Sequence, residues 1–436
     1  METTGKETRE KEATNLMYRA LGTAIAFRAG LYALALAAHL LSPQDFDPSG
    51  DMILQSASPI WRTLLVPLVR WDALHFMGIA VDGDYVQEHQ TAFFPVLPAF
   101  INAIAHLLPS GIDLTARVAF AGIIFNQIVF LLALSALYQL VHATTKSHVR
   151  AYQSAILFAV QPASIFTMSI NAEPLFAFLS FSGALAWEEG KDVEAGVYFA
   201  WASLARSNGM LNAGFFLYGM LFRRRSVARS IVGGLLVLAP IAAHQMYLTA
   251  RFCPSNTIDD DHTMRRPWCP GRSSTVGSPY GYVQQRYWGS GVPFAYWTVA
   301  QLPNFAMAAP MLVRAVHVAF RELKHQMPPR PIPTTAKGMF QWMHQWLSGT
   351  QRPHAFGVPY AVQMLVLVGI TVVAMHVQIC LRVFSGYAAI FSVWPDTSSS
   401  SSSVAVMSKY DRWWLRYSIV WASVGAVLFG VFLPPA

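Results

Sequence analysis

RWDALHFMGIAVDGDYVQEHQTAFFPVLP, residues 70–98, is a polar and acidic stretch between long apolar segments of the chain. Its four carboxylates are Asp72, Asp82, Asp84 and Glu88. The pattern predicts a short helix from Trp71 to about Val81, a turn at Gly83, and a second segment that Pro95 ends. On such a helix Asp72 and His75 are three residues apart and share one face. We interpret the stretch as a folded, site-bearing loop that packs against a bundle of membrane helices.

The composition places the chain among membrane proteins. Of its 436 residues, 54% are hydrophobic and only 12% are Asp, Glu, Lys or Arg, which is about half the charged share of a soluble domain. Several windows of about 20 apolar residues follow one another, and they predict an all-α polytopic membrane protein. Basic residues at cytoplasmic helix ends explain the net charge of +8, so no nucleic-acid partner is expected.

The predicted spans divide the chain into a short tail and one transmembrane domain. Residues 1–17 are charged and are expected to form an unstructured cytoplasmic tail, followed by the domain 18–436. The first span, 18–41, has no small-residue cleavage site, which predicts a retained signal-anchor. Further spans are predicted over 116–142, 151–170, 175–187, 230–250, 293–313, 357–381 and 417–433, with two short helices over 193–221 that are interrupted at 206–209. LLVPLV and VLPAFINAIAHLL are too short to span and suit helices lying on one leaflet.

Alternation of these spans predicts two different faces. The N-terminus and the arginines of 223–229 fall on one side, which the positive-inside rule makes cytoplasmic. The loop 43–115, which contains the site-bearing stretch 70–98, and the loop 251–292 then lie on the lumenal side. Cys253 and Cys269 flank the second loop, where they could form a disulfide or remain free. Residues 321–356 are interpreted as a basic, proline-rich segment and 396–411 as a Ser-rich flexible loop.

Asp72 is the first candidate for chemistry. A carboxylate beside Trp71 and His75 at a membrane surface could act as a general base toward a hydroxyl nucleophile. The alternatives are that Asp72 caps the helix or pairs with Arg70. Asp82-Gly83-Asp84 has the D-x-D form that binds a metal and a nucleotide-sugar diphosphate, but no Rossmann-like sequence surrounds it. A simple turn is therefore favoured for that motif, and no metal is expected.

Two charges interrupt apolar sequence farther along the chain. Glu173 precedes Pro174 at a predicted membrane boundary, where it could line a site, cap the next helix, or do both. Arg206 lies in an apolar stretch beside Asn208 and could receive a phosphate, form a salt bridge with Glu173, or extend to the membrane surface.

Other candidates for substrate binding carry weaker signals. Glu88 precedes an aromatic and proline-rich run and could bind a sugar hydroxyl. Tyr296 and Trp297, like the preceding pair Tyr287 and Trp288, could stack on sugars or simply form an interfacial aromatic belt. Arg352 and His354 could lie at the cytoplasmic edge of the membrane or belong to a lipid-phosphate pocket. The predicted substrate-binding set is Arg70, Trp71, His75, Glu88, Asn171, Glu173, Arg206, Asn208, Tyr296 and Trp297.

Several blocks in order along the chain resemble one family. They are RWDALHF at 70–76, AFFPVLP at 92–98, NAEPLFAFLSFSG at 171–183, ARSNGMLNAGF at 205–215 and YWTVAQLPNFAMAAP at 296–310. Together they resemble the PIG-V family, whose members add the second mannose to precursors of the GPI anchor. The resemblance implies a fungal member of that family, in which the proline-rich segment 321–356 is an insertion.

The resemblance implies a GT-C glycosyltransferase fold in the endoplasmic reticulum membrane, with its acidic residue, matched here by Asp72, in the first lumenal loop. It implies dolichyl-phosphate-mannose as the donor, a GPI-precursor glycolipid as the acceptor, and an α-1,6 linkage. No cofactor is expected beyond this lipid-linked donor, and fungal members resemble enzymes that work with a small membrane partner subunit. Arg206, His75 and Arg352 are the candidate cations for the departing phosphate. The alternative function is a multi-pass lipid or solute transporter or flippase, in which Arg206 and Glu173 would line a substrate path.

Overall fold

The computed structural model describes residues 2–42, 46–253, 266–269, 277–328, 333, 335–348, 356–394 and 407–434, with only the backbone for 2–10. Regular structure in these ranges is helical, without a β-strand. The α-helices are α1 Glu2–Leu41, α2 Ser49–Ile53, α3 Pro59–Leu65, α4 Asp72–Asp82, α5 Val96–Leu107, α6 Leu114–Thr145, α7 His148–Ala159, α8 Ser164–Met168, α9 Glu173–Glu188, α10 Asp192–Ala205, α11 Ala213–Phe222, α12 Val227–Phe252, α13 Pro279–Arg286, α14 Leu302–Gln326, α15 Ala336–Ser348, α16 Val358–Ala374, α17 Cys380–Phe384 and α18 Lys409–Gly430.

Long apolar helices confirm the membrane class. In the described part of the chain, three helices are long and apolar enough to cross a membrane, over Lys11–Leu41, Leu114–Thr145 and Val227–Phe252. Of the central helices, α6 packs along α9 and α7, and α10 lies between α9 and α12. α1 packs against α18 and α7. The chain is therefore an all-α membrane protein.

The prediction of an unstructured tail over residues 1–17 is wrong, because the backbone is helical from Glu2 onward. α1 begins at Glu2 and continues without a break into the first predicted span. No proline or glycine lies between Lys6 and Leu21, so nothing in that interval interrupts a helix that has already formed. At 1.5 Å per residue, a 40-residue helix is about 60 Å long, twice the thickness of the hydrocarbon core.

Two predicted spans are interrupted in the structure. The span predicted over 151–170 is split, because α7 ends at Ala159 and α8 begins only at Ser164. Pro162 lies in the gap, and a proline removes one backbone donor and disfavours the helical conformation of the residue before it. The span predicted over 357–381 ends at Ala374, and the short helix α17 follows after a turn.

The remaining spans shift at their ends. α14 begins at Leu302, nine residues after the predicted start at 293, and continues to Gln326, so the start of the predicted insertion 321–356 is helical. α18 begins at Lys409, inside the predicted Ser-rich loop 396–411. The break predicted at 206–209 is present between α10 and α11.

The segment that carries Asp72 is a layer of short helices, α2 to α5, before the long helix α6. The predicted helix 71–81 is confirmed to within one residue as α4. Its apolar face is buried through Ala73, Phe76, Met77, Ile79 and Ala80. Gly83 ends α4 with φ +72°, a left-handed conformation that costs glycine no steric strain.

Candidate active site

The candidate site centres on Arg382, in the short helix α17. Its Nε donates to Glu173 Oε1 at 2.6 Å, and its Nη2 donates to Asp72 Oδ2 at 2.6 Å. Nη2 also lies 3.3 Å from Asn171 Oδ1. A single guanidinium therefore joins three elements that are far apart in sequence: α4, the start of α9, and α17.

Glu173 joins a second arginine to this cluster. Its Oε1 accepts from Arg206 Nη1 at 2.6 Å, and its side chain is only 1% exposed. Glu173 is the first residue of α9, and Ala172 occupies the cap position. Two carboxylates and two guanidiniums thus form one connected cluster of zero net charge. The predicted pairing of Glu173 with Arg206 is present.

Asp72 is the more open carboxylate of the cluster. Its side chain is 32% exposed, and its recorded partner is Arg382. Trp71 occupies the cap position of α4, and Asp72 is the first helical residue. The structure therefore contains neither the expected helix cap nor a pair between Asp72 and Arg70.

Arg70 points away from this cluster. It is fully buried, and its Nη2 lies 3.3 Å from the carbonyl oxygen of Gly430 and 3.4 Å from His39 Nδ1. The guanidinium also lies over the ring of Phe432 at 5.1 Å. Trp71 packs on the same Phe432 ring, with centroids 5.1 Å apart. Both residues hold the C-terminal end of α18 against the loop that carries Asp72.

The charges around Asp72 determine its protonation. Burial raises the pKa of the carboxyl, but the charge and hydrogen bond of Arg382 outweigh that effect, so the pKa of Asp72 lies below its ordinary value. For His75, burial lowers the pKa below the ordinary 6.5 in spite of the nearby Asp72 charge. At neutral pH the site therefore presents an ionised Asp72 and an uncharged His75.

Asn171 and Asn208 hold the backbone around the cluster. Asn171 is buried and donates to Ser169 Oγ at 3.1 Å, while its own carbonyl oxygen accepts from Asn126 at 2.9 Å. The carbonyl oxygen of Asn208 accepts from the hydroxyl of Tyr387 at 3.0 Å. These bonds fix the two interrupted segments that present Glu173 and Arg206.

Glu88 belongs to a separate contact between two loops. It accepts from Trp268 Nε1 at 2.7 Å, from the hydroxyl of Tyr287 at 2.8 Å and from Arg266 at 3.2 Å. Cys269 follows Trp268 and forms a disulfide with Cys253 across 5.7 Å between Cα atoms. Of the two states left open for these cysteines, the structure has the disulfide.

An aromatic wall extends from Asp72 toward this contact. It consists of His75, His89, Phe93, Tyr287 and Trp288. The ring of His75 is stacked on Phe93 with centroids 4.5 Å apart, and Phe93 meets Trp288 edge-on at 5.8 Å. His89 lies 4.9 Å from His75 and 6.3 Å from Tyr287. Sugars bind well to surfaces that combine aromatic faces with polar groups.

Tyr296 and Trp297 pack elsewhere, at the end of α16. The Tyr296 ring is stacked on His376 at 4.4 Å, and Trp297 Nε1 donates to the carbonyl oxygen of Val372 at 2.7 Å. No recorded contact joins either residue to the Asp72 cluster. Arg352 and His354 lie outside the described residues.

The D-x-D motif is a turn held by neighbouring side chains. Asp84 accepts from the hydroxyl of Tyr247 at 2.5 Å and pairs with Arg251 at 2.9 Å. Within the described ranges, no group of three or more His, Cys, Asp or Glu side chains is placed to hold a metal ion.

Arg382 was not recognised from sequence. It is an isolated arginine in the apolar stretch VQICLRVFSG, residues 377–386. The rule that singles out Arg206, an ionisable group inside apolar sequence, applies equally to Arg382. Arg382 directly follows the predicted span 357–381, and an arginine in that position looks like an ordinary residue at the membrane edge.

Sequence comparisons with known proteins identify one family. The sequence pattern of the family described as "Mannosyltransferase (PIG-V)" matches residues 35–436. The chain is 27% identical to "GPI mannosyltransferase 2" of Cryptococcus neoformans, over 90% of this chain and 92% of that protein. It is 30% identical to the Gibberella zeae protein of the same name, over 94% and 96% of the two chains.

A mammalian relative carries a more specific name. The chain is 31% identical to "GPI alpha-1,6-mannosyltransferase 2" of Rattus norvegicus, over 64% of this chain and 61% of that protein. No solved structure matches the chain significantly. None of these relatives supports the transporter alternative. With the family pattern extending over most of its length and through every residue of the Arg382 cluster, the chain belongs to the PIG-V mannosyltransferase family.

Proposed function

We propose that the chain transfers mannose from dolichyl-phosphate-mannose to the first mannose of a GPI-anchor precursor, as the second mannose and in α-1,6 linkage. The observation that carries the proposal is the carboxylate of Asp72, 32% exposed and bound by Arg382, in one cluster with Glu173 and Arg206, in a chain of this mannosyltransferase family. A base and a cationic group are the two requirements of an inverting transfer from a sugar phosphate.

In this mechanism Asp72 is the general base. Arg382 holds Oδ2, whereas no described residue donates to Oδ1, so Oδ1 is available to the acceptor. It takes the proton of the acceptor hydroxyl as that oxygen forms a bond to C1 of the donor mannose. The bond from C1 to the phosphate oxygen breaks, its electron pair stays on the phosphate, and dolichyl phosphate leaves.

Arg206 is the cation that we assign to the departing phosphate. Its side chain is 19% exposed, and its recorded ion pair is the one with Glu173. His75 is less suitable for this role because its lowered pKa leaves it uncharged at neutral pH. In this proposal the guanidinium of Arg206 contacts the phosphate oxygens, and neither a metal nor a cofactor is included.

The aromatic wall is the proposed surface for the acceptor glycan. It begins one helical turn from Asp72, at His75, and reaches the 251–292 loop through Phe93 and Trp288. Glu88 is assigned to holding that loop in place through Trp268 and Tyr287. Tyr296 and Trp297 have no assigned role in this mechanism.

The proposed location is the endoplasmic reticulum membrane, with the Asp72 loop on the lumenal side. The disulfide Cys253–Cys269 supports this location because disulfides persist in oxidising compartments. A small membrane partner subunit is part of the proposal, and co-purification from native membranes tests for it.

The experiment is mannose transfer by the purified protein in lipid nanodiscs. Dolichyl-phosphate-[³H]mannose is supplied with a one-mannose GPI intermediate, and product linkage is determined with α-1,6-specific mannosidase. We expect a two-mannose product that this enzyme trims. Vesicles containing the protein without acceptor serve as the transport arm. Movement of the donor lipid across the bilayer, with no transfer in nanodiscs, would instead support a flippase.

A further inference from the structure

We propose that Arg382 is a positioning residue that holds Asp72 in its ionised form and in one orientation for proton abstraction. The inference rests on the proposed transfer reaction, because it assigns a role within the same site. It concerns a residue whose side chain is 15% exposed and bound on several sides.

The first argument is geometric. The guanidinium donates to Glu173 and Asp72 from two different nitrogens, each at 2.6 Å. Its carbon lies 4.6 Å over the ring of Phe166, and Asn171 Oδ1 is 3.3 Å from Nη2. A planar group with fixed donors in these positions has little freedom, so it fixes the Asp72 carboxylate that it contacts.

The second argument is electrostatic. Four groups face Asp72: His75 from α4, Glu173 from α9, Arg206 from the break after α10, and Arg382 from α17. Burial opposes ionisation of Asp72, whereas the charge and hydrogen bond of Arg382 favour it, and His75 is uncharged at neutral pH. Arg382 is the stronger of the two opposing cations, because Arg206 contacts Glu173 rather than Asp72.

Glu173 serves as the anchor for this arrangement. At 1% exposure it is too enclosed to meet a substrate, and its Oε1 receives both arginines. It holds Arg382 in the position from which the guanidinium reaches Asp72. The charge that supports the base is therefore supplied from inside the helix bundle rather than from solvent.

The test is the pH dependence of kcat for mannose transfer by wild type, Arg382→Gln and Arg206→Gln. In the pH profile of kcat, the acid limb is the fall in rate as Asp72 becomes protonated. Loss of the Arg382 charge is expected to move this limb to higher pH by about 1–3 units, the usual effect of one adjacent opposite charge on the pKa of a carboxyl. Arg206→Gln is the matched control: Arg206 pairs with Glu173 and acts on Asp72 only through its more distant charge, so the acid limb of this variant should move less. An acid limb of Arg382→Gln at the wild-type pH would overturn the inference.

Two further variants keep the test decisive. Arg382→Lys retains the charge, but a single ammonium cannot reproduce the two-nitrogen contact with Asp72 and Glu173. We expect the acid limb of Arg382→Lys to lie near the wild-type pH and its kcat to be reduced at least about tenfold. A wild-type kcat would overturn the orienting role of Arg382. This comparison does not depend on whether Arg382→Gln accumulates. His75→Phe keeps a ring against Phe93, and disappearance of the acid limb in this variant would assign the limb to His75 and contradict us. Absence of transfer by the wild-type protein would refute the proposed function itself, whereas an unmoved limb refutes only the role of Arg382.

Discussion

Asp72 follows a residue with an unusual backbone conformation. Trp71 has φ +54° and ψ −122°, a region that side chains other than glycine rarely occupy. Such a residue costs about 1–3 kcal/mol, and the surrounding packing must supply that energy. Here the Trp71 ring against Phe432 and the buried Arg70 before it supply the packing. The consequence is that α4 starts abruptly, with Asp72 at its first position facing Arg382.

The ionisation of Asp72 and His75 predicts a simple pH profile. The pKa of Asp72 is depressed, so its base form is present throughout the neutral range and is lost only as pH falls through that lowered value. The pKa of His75 is also lowered from 6.5, so His75 does not titrate at higher pH. We expect kcat for mannose transfer to be constant between about pH 7 and 8, above the ordinary pKa of both groups. A sigmoidal step inside that interval, measured with a pH-stable protein sample, would contradict the assignment.

Replacement of Glu173 should cost both activity and abundance. Glu173→Ala leaves Arg206 and Arg382 without their shared buried counter-charge, and breaking a buried pair in this way costs about 3–5 kcal/mol. We expect lower protein level in membranes and, at matched protein level, reduced transfer. Glu188→Ala, which removes a less buried partner of Arg223, is the control. A Glu173→Ala protein of normal level and activity would show that the cluster is dispensable.

Part of this cluster is predictable from the sequence. Asp72, Asn171, Glu173 and Arg206 carried signals because each is a polar group at a helix end or within apolar sequence. Arg70 and Trp71 were grouped with Asp72 by adjacency, but a helix start turns successive side chains in different directions, and Arg70 points to α18. Arg382 lies 310 positions from Asp72, and only the fold brings them together.

At the scale of elements, a buried ion pair joins α14 to α18. Arg314 Nη1 donates to Asp411 Oδ1 at 2.6 Å, and their side chains are 1% and 0% exposed. Arg314 also donates to the carbonyl oxygens of Ile390 and Ser392. One guanidinium thus holds three segments of the C-terminal third of the chain.

This pair predicts a non-additive mutant cycle. Arg314→Met leaves Asp411 charged and buried, which should cost about 3–5 kcal/mol of stability. The double variant Arg314→Met/Asp411→Leu removes both charges and should recover a large part of that loss. Thermal unfolding midpoints in detergent measure the cycle. Equal stability of the single and double variants would show that the isolated charge carries no penalty.

Element boundaries were predictable where the sequence has local signals. Polar residues predict the start of α4, and Gly83 predicts its end. The polar run Arg206-Ser207-Asn208-Gly209 predicts the break before α11. The interruptions at Pro162 and after Ala374 were missed because hydropathy over a long window averages across a short gap. Pro162 itself is the local signal for the first interruption, whereas the sequence after Ala374 carries no comparable signal.

At the scale of the whole molecule, composition together with the successive windows of about 20 apolar residues predicts the all-α membrane class. Topology across the membrane remains a prediction, and the disulfide Cys253–Cys269 offers a test. In sealed, unreduced microsomes a membrane-impermeant maleimide should label neither cysteine. Cys253→Ser frees Cys269, which should then be labelled only after the microsomes are permeabilised. Labelling of that variant in intact microsomes would place the loop on the cytoplasmic side.

The most direct test of the account compares mannose transfer by Asp72→Asn and Asp84→Asn at matched protein level. Asparagine keeps the size of the side chain but cannot take the acceptor proton, so Asp72→Asn should lower transfer by a factor on the order of 10²–10⁴. Asp84 lies in the same loop but contacts Tyr247 and Arg251 instead, so Asp84→Asn should remain within a few-fold of wild type. Near-normal transfer by Asp72→Asn would remove Asp72 from the mechanism and contradict the central claim.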